Sequence, residues 1–436
     1  MSDIIQPRVL KGFRDFLPQA ELLRQQLSEK LSTTFKLYGF VPIDTPVLEY
    51  AEILLGKSGG ETEKQVYHFQ DHGKRDVAMR FDLTVPFARF MAEHHSELYL
   101  PFKRFHIAKV WRGENTQRGR YREFVQADFD TVGVDTAAAD FEIVALIRQA
   151  MVTLGVPDSK IYVNNRGVFN RFLARAGIAE KSVEVLRTVD KLNKIGPQET
   201  ERLLAELANP STAADIMSFI AGGEGFMATL QRISTLAGGP NPDSERLAEV
   251  YRMAEACGIS DYVVLAPWIT RGLDYYTGIV FETLLDAIPE IGSVCSGGRY
   301  NDLAGLYTKQ QLPGVGASIG LDRLVAALEA IDRLGSSENG CRALIFNLDE
   351  SMEPEYQQLA MAFRAAGISA EVYADRRKIG QQYTYAEKKG IRLAVLRGAA
   401  EREAGTWQLK DIASKQVEVY SSIDQLLAAA AVLLQA

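Results

Sequence analysis

Three arginines have neighbours that ordinary structural roles explain poorly: Arg112 in Trp-Arg-Gly-Glu, Arg271 in Arg-Gly-Leu-Asp-Tyr-Tyr, and Arg323 in Gly-Leu-Asp-Arg-Leu. A guanidinium is planar, permanently charged and forked, which matches the oxygens of a phosphate group. Each of the three leaves or enters regular structure, so together they can clamp a triphosphate from several sides. Phe124, just beyond the basic turn, can offer a ring face to a nucleobase. A surface salt bridge explains any one of these arginines alone; their joint appearance with aromatic residues favours an anion site. From Lys103 to Arg122 there are seven basic residues (Lys103, Arg104, Lys109, Arg112, Arg118, Arg120, Arg122) against one acid, Glu114. Trp111, Gly113, Gly119, Tyr121 and Phe124 are interleaved with them. That pattern suits two strands joined by a turn better than a solvated helix face, and it marks an anion-facing patch.

Other chemistries find less support. The phosphate-loop pattern G-x-x-x-x-G-K-[ST] is absent, and Gly314, Gly316 and Gly320 lack the parallel βαβ setting of a dinucleotide fingerprint, so close strand packing is their better reading. Cys257, Cys295 and Cys341 are far apart and odd in number, and the five histidines include the adjacent pair His94-His95, so neither a disulfide framework nor a metal site is expected. A net charge of −7 with 24% charged residues describes a globular protein and argues against a dedicated nucleic-acid binder. No signal peptide or membrane span is visible, and the Ala/Leu-rich tail from Leu426 to Leu434 is too short to cross a bilayer, so a reducing, cytoplasmic setting is expected.

A chain of 436 residues exceeds one ordinary core, so two or three domains must position these side chains. Periodicity predicts a helix over Gln19–Phe35, then an extended stretch, Tyr38 to Tyr50, broken by Pro42 and Pro46. A strand through Phe81 and a helix from Thr84 precede the basic strand-turn-strand. Asp135-Thr136 then caps a helix ending near Gly155. From about 163 to 260 helical segments alternate with soft loops, which suggests a helical insertion. Strands return at Asp261–Ala287 and Ser293–Tyr300, and Gly314–Leu324 runs from glycines into a helix. Arg333–Gly340 has linker composition, and beyond it strands and helices alternate as in a small parallel α/β domain. The expected architecture is an α+β catalytic body on an antiparallel sheet (1–335) with a helical insertion and a separate α/β domain (336–436).

The stretches Gly39–Pro46, Trp111–Phe124 and Gly314–Leu324 resemble the three signature motifs of class II aminoacyl-tRNA synthetases. Arg271–Glu282 and Ser296-Gly-Gly-Arg-Tyr-Asn-Asp-Leu303 are similar to the histidine-specific elements of the histidyl-tRNA synthetase family, and Lys11–Pro18 resembles its amino-terminal stretch, with Phe13 where threonine is usual. The C-terminal domain resembles the anticodon-binding domain shared by several class II enzymes.

The resemblance implies activation of L-histidine by ATP and transfer of the histidyl group to tRNA(His), with Mg²⁺ accompanying the nucleotide and no separate protein metal site. It assigns Arg112, Arg271 and Arg323 to catalysis, and Arg112, Glu114, Arg120, Phe124 and Arg323 to ATP. Histidine falls to Asp82, Thr84, Arg112, Gln126, Asp130, Arg271, Tyr275 and Tyr276; the family often has glutamate at the positions of Asp82 and Asp130. Arg271 would meet the α-phosphate where related enzymes often use a metal ion, and Asp274 would brace that turn. The turn Asn115–Gly119 would face the tRNA acceptor end, and Arg376, Arg377, Lys378, Lys388 and Lys389 the anticodon stem. Homodimerisation is implied through Gly39–Pro46. The competing expectation is a non-aminoacylating paralogue that regulates histidine biosynthesis; the retained Arg-Gly-Leu-Asp-Tyr-Tyr element and C-terminal domain count against it.

Overall fold

The structure, a computed structural model, describes residues 4–56, 63–223, 225–269, 275–335 and 340–435. Two compact units divide the chain: Met1–Asp15 with Arg24–Gly335, and Phe16–Leu23 with Ser336–Ala436.

The first unit is built on an eight-stranded sheet. Its strands in chain order are β1 (Val41–Pro42), β2 (Phe102–Trp111), β3 (Glu123–Val132), β4 (Lys160–Asn165), β5 (Val263–Leu265), β6 (Ile279–Leu284), β7 (Cys295–Arg299) and β8 (Gly314–Gly320). Their spatial order is β1-β2-β3-β8-β7-β6-β4-β5. Only the outermost pairs, β1 with β2 and β4 with β5, are parallel; the rest are antiparallel. The register pairs even-numbered residues with even-numbered ones across the middle: Asp130 faces Arg104 and Gly316, Asp128 faces His106 and Ser318, and Gly298 faces Gly316. Because side chains alternate along a strand, one face of the sheet collects Arg104, Gln126, Asp128, Asp130 and Ser318. The odd-numbered face is apolar at its centre, through Phe105, Ala127, Phe129, Val315 and Ile319. There Phe129 packs on Phe35 at 4.9 Å, and Leu27, Leu31 and Phe35 recur at helical spacing in the helix Pro18–Leu37.

The extended stretch around motif one divides between two sheets. Val41–Pro42 edges the large sheet, whereas Leu48–Tyr50 joins a three-stranded sheet with Asp76–Met79 and His68–Gln70. Thr136 caps the helix Ala137–Thr153 by accepting the Ala139 N–H, as its sequence position predicts. The helical segment runs from Arg166 to Ala256, and Val163–Asn165 still belongs to β4.

In the second unit the strands Ala370–Val372, Ala343–Ile345 and Leu393–Leu396 are parallel. Two antiparallel strands, Trp407–Asp411 and Val417–Tyr420, extend that sheet. Strand-helix alternation does not announce this pair, because no helix intervenes. Tyr356, Phe363, Trp407 and Leu426 fill one side of the sheet, and Phe346 and Ile391 the other.

Candidate active site

The polar face of the large sheet opens into a cleft of about 310 Å³ lined by Asp82, Arg112, Phe124, Gln126, Tyr276 and Arg323, among others. Small residues create the hollow. A Cβ on Gly316 would lie 2.0 Å from Asp130 Oδ1, one on Gly298 2.9 Å from the Tyr276 ring, and one on Gly314 2.4 Å from the Tyr300 ring. These glycines therefore seat side chains, as the packing interpretation of the glycine run anticipates. Gly314–Gly320 is a strand, and the helix Leu321–Ala330 begins directly after it.

One end of the cleft is cationic. Arg112 donates from Nε to the Phe81 carbonyl at 3.1 Å, and its guanidinium lies 4.3 Å from the Phe81 ring and 5.1 Å from that of Phe124. Arg323 donates to the Ser293 carbonyl at 2.8 Å. Burial, with Arg120 beside it, pulls the Arg323 guanidinium down to about 10, and burial also lowers Arg112. Three arginines thus converge, and an anionic ligand relieves their mutual repulsion. Glu114 lies 3.5 Å from Arg120 and lines the same end. Gly119, in the turn between β2 and β3, has φ +71° and sits where an added Cβ would be 3.3 Å from Arg323 Cγ.

The rest of the basic run faces elsewhere. Lys103 pairs with Glu142 at 2.5 Å, Lys109 with Glu123 at 2.9 Å and Arg104 with Asp130 at 2.7 Å. The run is therefore not one anion-facing patch: with the Arg120–Glu114 pair, four of its seven cations answer acids of this chain, and β2 alternates between two faces.

The other end of the cleft is anionic. Asp82 accepts the Val85 N–H at 3.0 Å, a free donor in the first turn of the helix Thr84–His94. The Tyr275 hydroxyl donates to Asp82 at 3.3 Å, so Tyr275 acts here by holding Asp82. Gln126 donates to the Ser318 hydroxyl at 2.8 Å, which leaves its Oε1 buried without a partner. Asp130 accepts the Tyr300 hydroxyl at 2.5 Å and meets Arg104. Thr84 reaches Asp128 at 3.5 Å, and Asp128 Oδ1 is another buried acceptor without a partner. Two buried carboxylates thus share one guanidinium, since Arg104 lies 2.7 Å from Asp130 and 4.0 Å from Asp128. Burial, with Asp130 beside it, pushes the Asp128 carboxyl up to about 7 against the pull of Arg104. Burial likewise raises Asp82 and Asp130, and holds Tyr275, Tyr276 and Tyr300 above the ordinary phenol value.

Of the residues named from the sequence, Asp82, Thr84, Arg112, Glu114, Arg120, Phe124, Gln126, Tyr275, Tyr276 and Arg323 line one cleft. Asp130 lies behind the cleft, between Arg104 and Tyr300. Arg271 and Asp274 lie outside the described residues. Sequence reasoning gave no individual role to Asp128 or Ser318, nor to Arg104 and Tyr300, which it named only within the basic run and the Ser296–Leu303 element. The alternation Gln126-x-Asp128-x-Asp130 was the available signal for Asp128.

An antiparallel sheet with a strand-turn-strand bearing Arg112 and Phe124, and a glycine strand delivering Arg323 on a helix, defines a class II aminoacyl-tRNA synthetase body. A sequence profile described as histidyl-tRNA synthetase matches residues 12–324, and one described as an anticodon binding domain matches residues 342–431. The chain belongs to the histidyl-tRNA synthetase family. A relative from Treponema denticola, named histidine–tRNA ligase, is 56% identical over 398 residues, covering 90% of this chain and 89% of its own. A crystal structure of histidyl-tRNA synthetase from a Nostoc species matches with TM-score 0.88 at 30% identity, covering 98% of this chain and 99% of that one. A Bacillus halodurans structure described as an ATP phosphoribosyltransferase regulatory subunit/histidyl-tRNA synthetase matches with TM-score 0.74 at 23% identity over 88% of this chain and 97% of its own, a likeness of fold alone.

Proposed function

We propose that this chain is a histidine–tRNA ligase whose cleft binds ATP at the arginine end and L-histidine at the carboxylate end. The observation that carries the reading is the polarity of one cleft: Arg323, Arg120 and Glu114 neighbour one another, and Asp82, Thr84 and Gln126 line the same cleft with Asp130 behind it. Arg112 lies near enough to both Glu114 and Asp82 to feel their charge. In the first step a histidine carboxylate oxygen attacks the α-phosphorus. The new P–O bond forms as the bond to the β-phosphate oxygen breaks, and pyrophosphate leaves with the electron pair. Two anions must approach while charge spreads over the phosphoryl oxygens, so fixed cations and positioning supply the catalysis. Arg112 serves the α-phosphate, Phe124 and Arg323 the adenine, Arg323 also the γ-phosphate, and Glu114 and Arg120 the nucleotide's placement. Arg271, assigned by sequence, reaches the α-phosphate from the histidine side. Mg²⁺ would accompany ATP and supply further positive charge against the triphosphate; among the described residues no cluster of three or more His, Cys, Asp or Glu side chains could hold a separate metal ion.

Asp82, Thr84 and Gln126 take the α-ammonium, and the partnerless Gln126 Oε1 fits a cationic N–H donor. Asp130 and Tyr276 take the imidazole. A site built to pair both ring nitrogens leaves buried polar groups unsatisfied by any other side chain, which costs roughly 1–3 kcal/mol per group. In the second step the 3′-terminal adenosine of tRNA(His) attacks the activated carbonyl, and AMP leaves. The turn Asn115–Gly119, by its motif-two position, is assigned to that end of the tRNA. Arg376, Arg377 and Lys389 pair with Glu350, Asp375 and Glu371 on the second unit, and exposed pairs of this kind yield readily to phosphates. Homodimerisation through Gly39–Pro46 is supported by the adjoining exposed apolar residues Val47, Leu48, Tyr50 and Phe69. A cytoplasmic location suits this activity, and no described helix is long and apolar enough to cross a membrane.

The test is ATP–pyrophosphate exchange with each amino acid in turn. Exchange supported by histidine alone is expected; exchange with another amino acid, or none at all, overturns the assignment.

A further inference from the structure

The amino-terminal segment docks on the ATP end of the cleft through four contacts. The Gly12 carbonyl accepts the Arg122 N–H at 2.9 Å. Gly12 itself has φ +88°, and a Cβ there would lie 2.7 Å from Arg122 Cγ and 2.8 Å from Thr116 Cγ2, so a side chain is excluded both by conformation and by space. Phe13 meets Tyr67 edge-on at 6.3 Å. Arg14 sits 3.2 Å from the centroid of the Tyr121 ring and donates to Asp322 Oδ1 at 2.8 Å.

Asp322 is the centre of this arrangement. It is 3% exposed, accepts the Val125 N–H at 2.7 Å and meets Arg24 at 3.4 Å. Its chain neighbour is Arg323, and the neighbour of Val125 is Phe124. A single guanidinium therefore joins Tyr121, in the turn between β2 and β3, to the helix that carries Arg323, and the carboxylate it holds fixes the backbone beside Phe124. A planar cation suits this double duty, stacking on a ring while forking to a carboxylate.

We propose that Arg14 is a positioning residue for ATP: it sets the separation of Phe124 and Arg323, the two side chains between which adenine is held. The proposal rests on the assignment of those two residues to adenine. Arg14 touches no substrate in this scheme and stands apart from the carboxylates at the histidine end, so its loss acts on the nucleotide alone.

Arg14→Ala and Arg14→Lys are compared with the wild-type chain in histidine-dependent pyrophosphate exchange, with ATP and histidine varied separately. Loss of one charge-assisted hydrogen bond and its ring contact raises KM for ATP about tenfold in Arg14→Ala, while KM for histidine stays within about twofold. Arg14→Lys keeps the charge opposite Asp322 but loses the planar face, and recovers part of the effect. Circular dichroism and thermal melting verify folding; if Arg14→Ala does not fold, Arg14→Lys alone must still raise KM for ATP selectively. Normal KM for ATP in the folded variants, or equal rises for both substrates, overturns the role of Arg14. An inactive wild type would instead overturn the reading of the cleft.

Discussion

Gly316→Ala is the sharpest test of how the sheet builds its histidine end. The added Cβ would lie 2.0 Å from Asp130 Oδ1, 2.3 Å from its Cγ and 2.7 Å from the Phe129 carbonyl oxygen, against an ordinary contact of roughly 3.5 Å. The backbone contact demands a shift of nearly an ångström between β3 and β8, and the carboxylate must move farther still. It then leaves the Tyr300 hydroxyl at 2.5 Å and Arg104 at 2.7 Å. Overpacking of this kind costs about 1–3 kcal/mol of stability. The catalytic effect follows from Asp130's hydrogen bond to the imidazole: a bond to a charged group contributes about 1.5–3 kcal/mol, so kcat/KM for histidine falls about 10- to 150-fold. Pyrophosphate exchange with each substrate varied separately measures it, and KM for ATP stays near normal. Gly320→Ala on the same strand is the control, because its Cβ would have no neighbour nearer than 3.7 Å. A folded Gly316→Ala protein with kcat/KM for histidine within about twofold of wild type would refute this placement of Asp130.

Arg271→Ala cuts adenylate formation by orders of magnitude in single-turnover assays while the fold stays intact; near-normal turnover removes Arg271 from the mechanism. Burial pushes the Asp128 carboxyl up to about 7, so its neutral form prevails on the acid side of that value and its anion on the alkaline side. Thr84, which takes the α-ammonium in this scheme, donates to Asp128 at 3.5 Å, so the bound cation favours the Asp128 anion. Binding below about pH 7 then expels a proton, and histidine affinity rises with pH through that window. Asp128→Asn flattens the profile relative to wild type in calorimetric titrations at pH 6–8, and an unchanged slope would exclude Asp128 as its source.

What the sequence made legible follows from how local each signal is. Arg112, Phe124 and Arg323 sit in short strings whose strand, turn and helix chemistry is written within a few residues, and the structure brings them together. The cap at Thr136 and the strand-to-helix passage at Gly320–Leu321 are equally local. Asp128, Arg104 and Tyr300 are different. Their meaning depends on register, since Arg104 faces Asp130 across one strand pair and Gly316 faces it across another. Nothing adjacent to Arg104 distinguishes it from Lys103, which points the other way to Glu142. The role of Arg14 was hidden for the same reason, because its partner Asp322 lies 308 residues away in the chain. The two antiparallel strands of the second unit escaped notice because Trp407–Asp411 and Val417–Tyr420 follow one another without the helix that parallel pairing requires.

The central claim is that one cleft holds adenine and imidazole at opposite ends, with the reacting phosphate between them. A crystal structure of this chain with a non-hydrolysable sulfamoyl analogue of histidyl-adenylate tests it most directly. The account predicts adenine between Phe124 and Arg323, the α-ammonium at Asp82, Thr84 and Gln126, and the imidazole nitrogens at Asp130 and Tyr276. An imidazole bound away from Asp130, or an adenine ring away from Phe124, would contradict it.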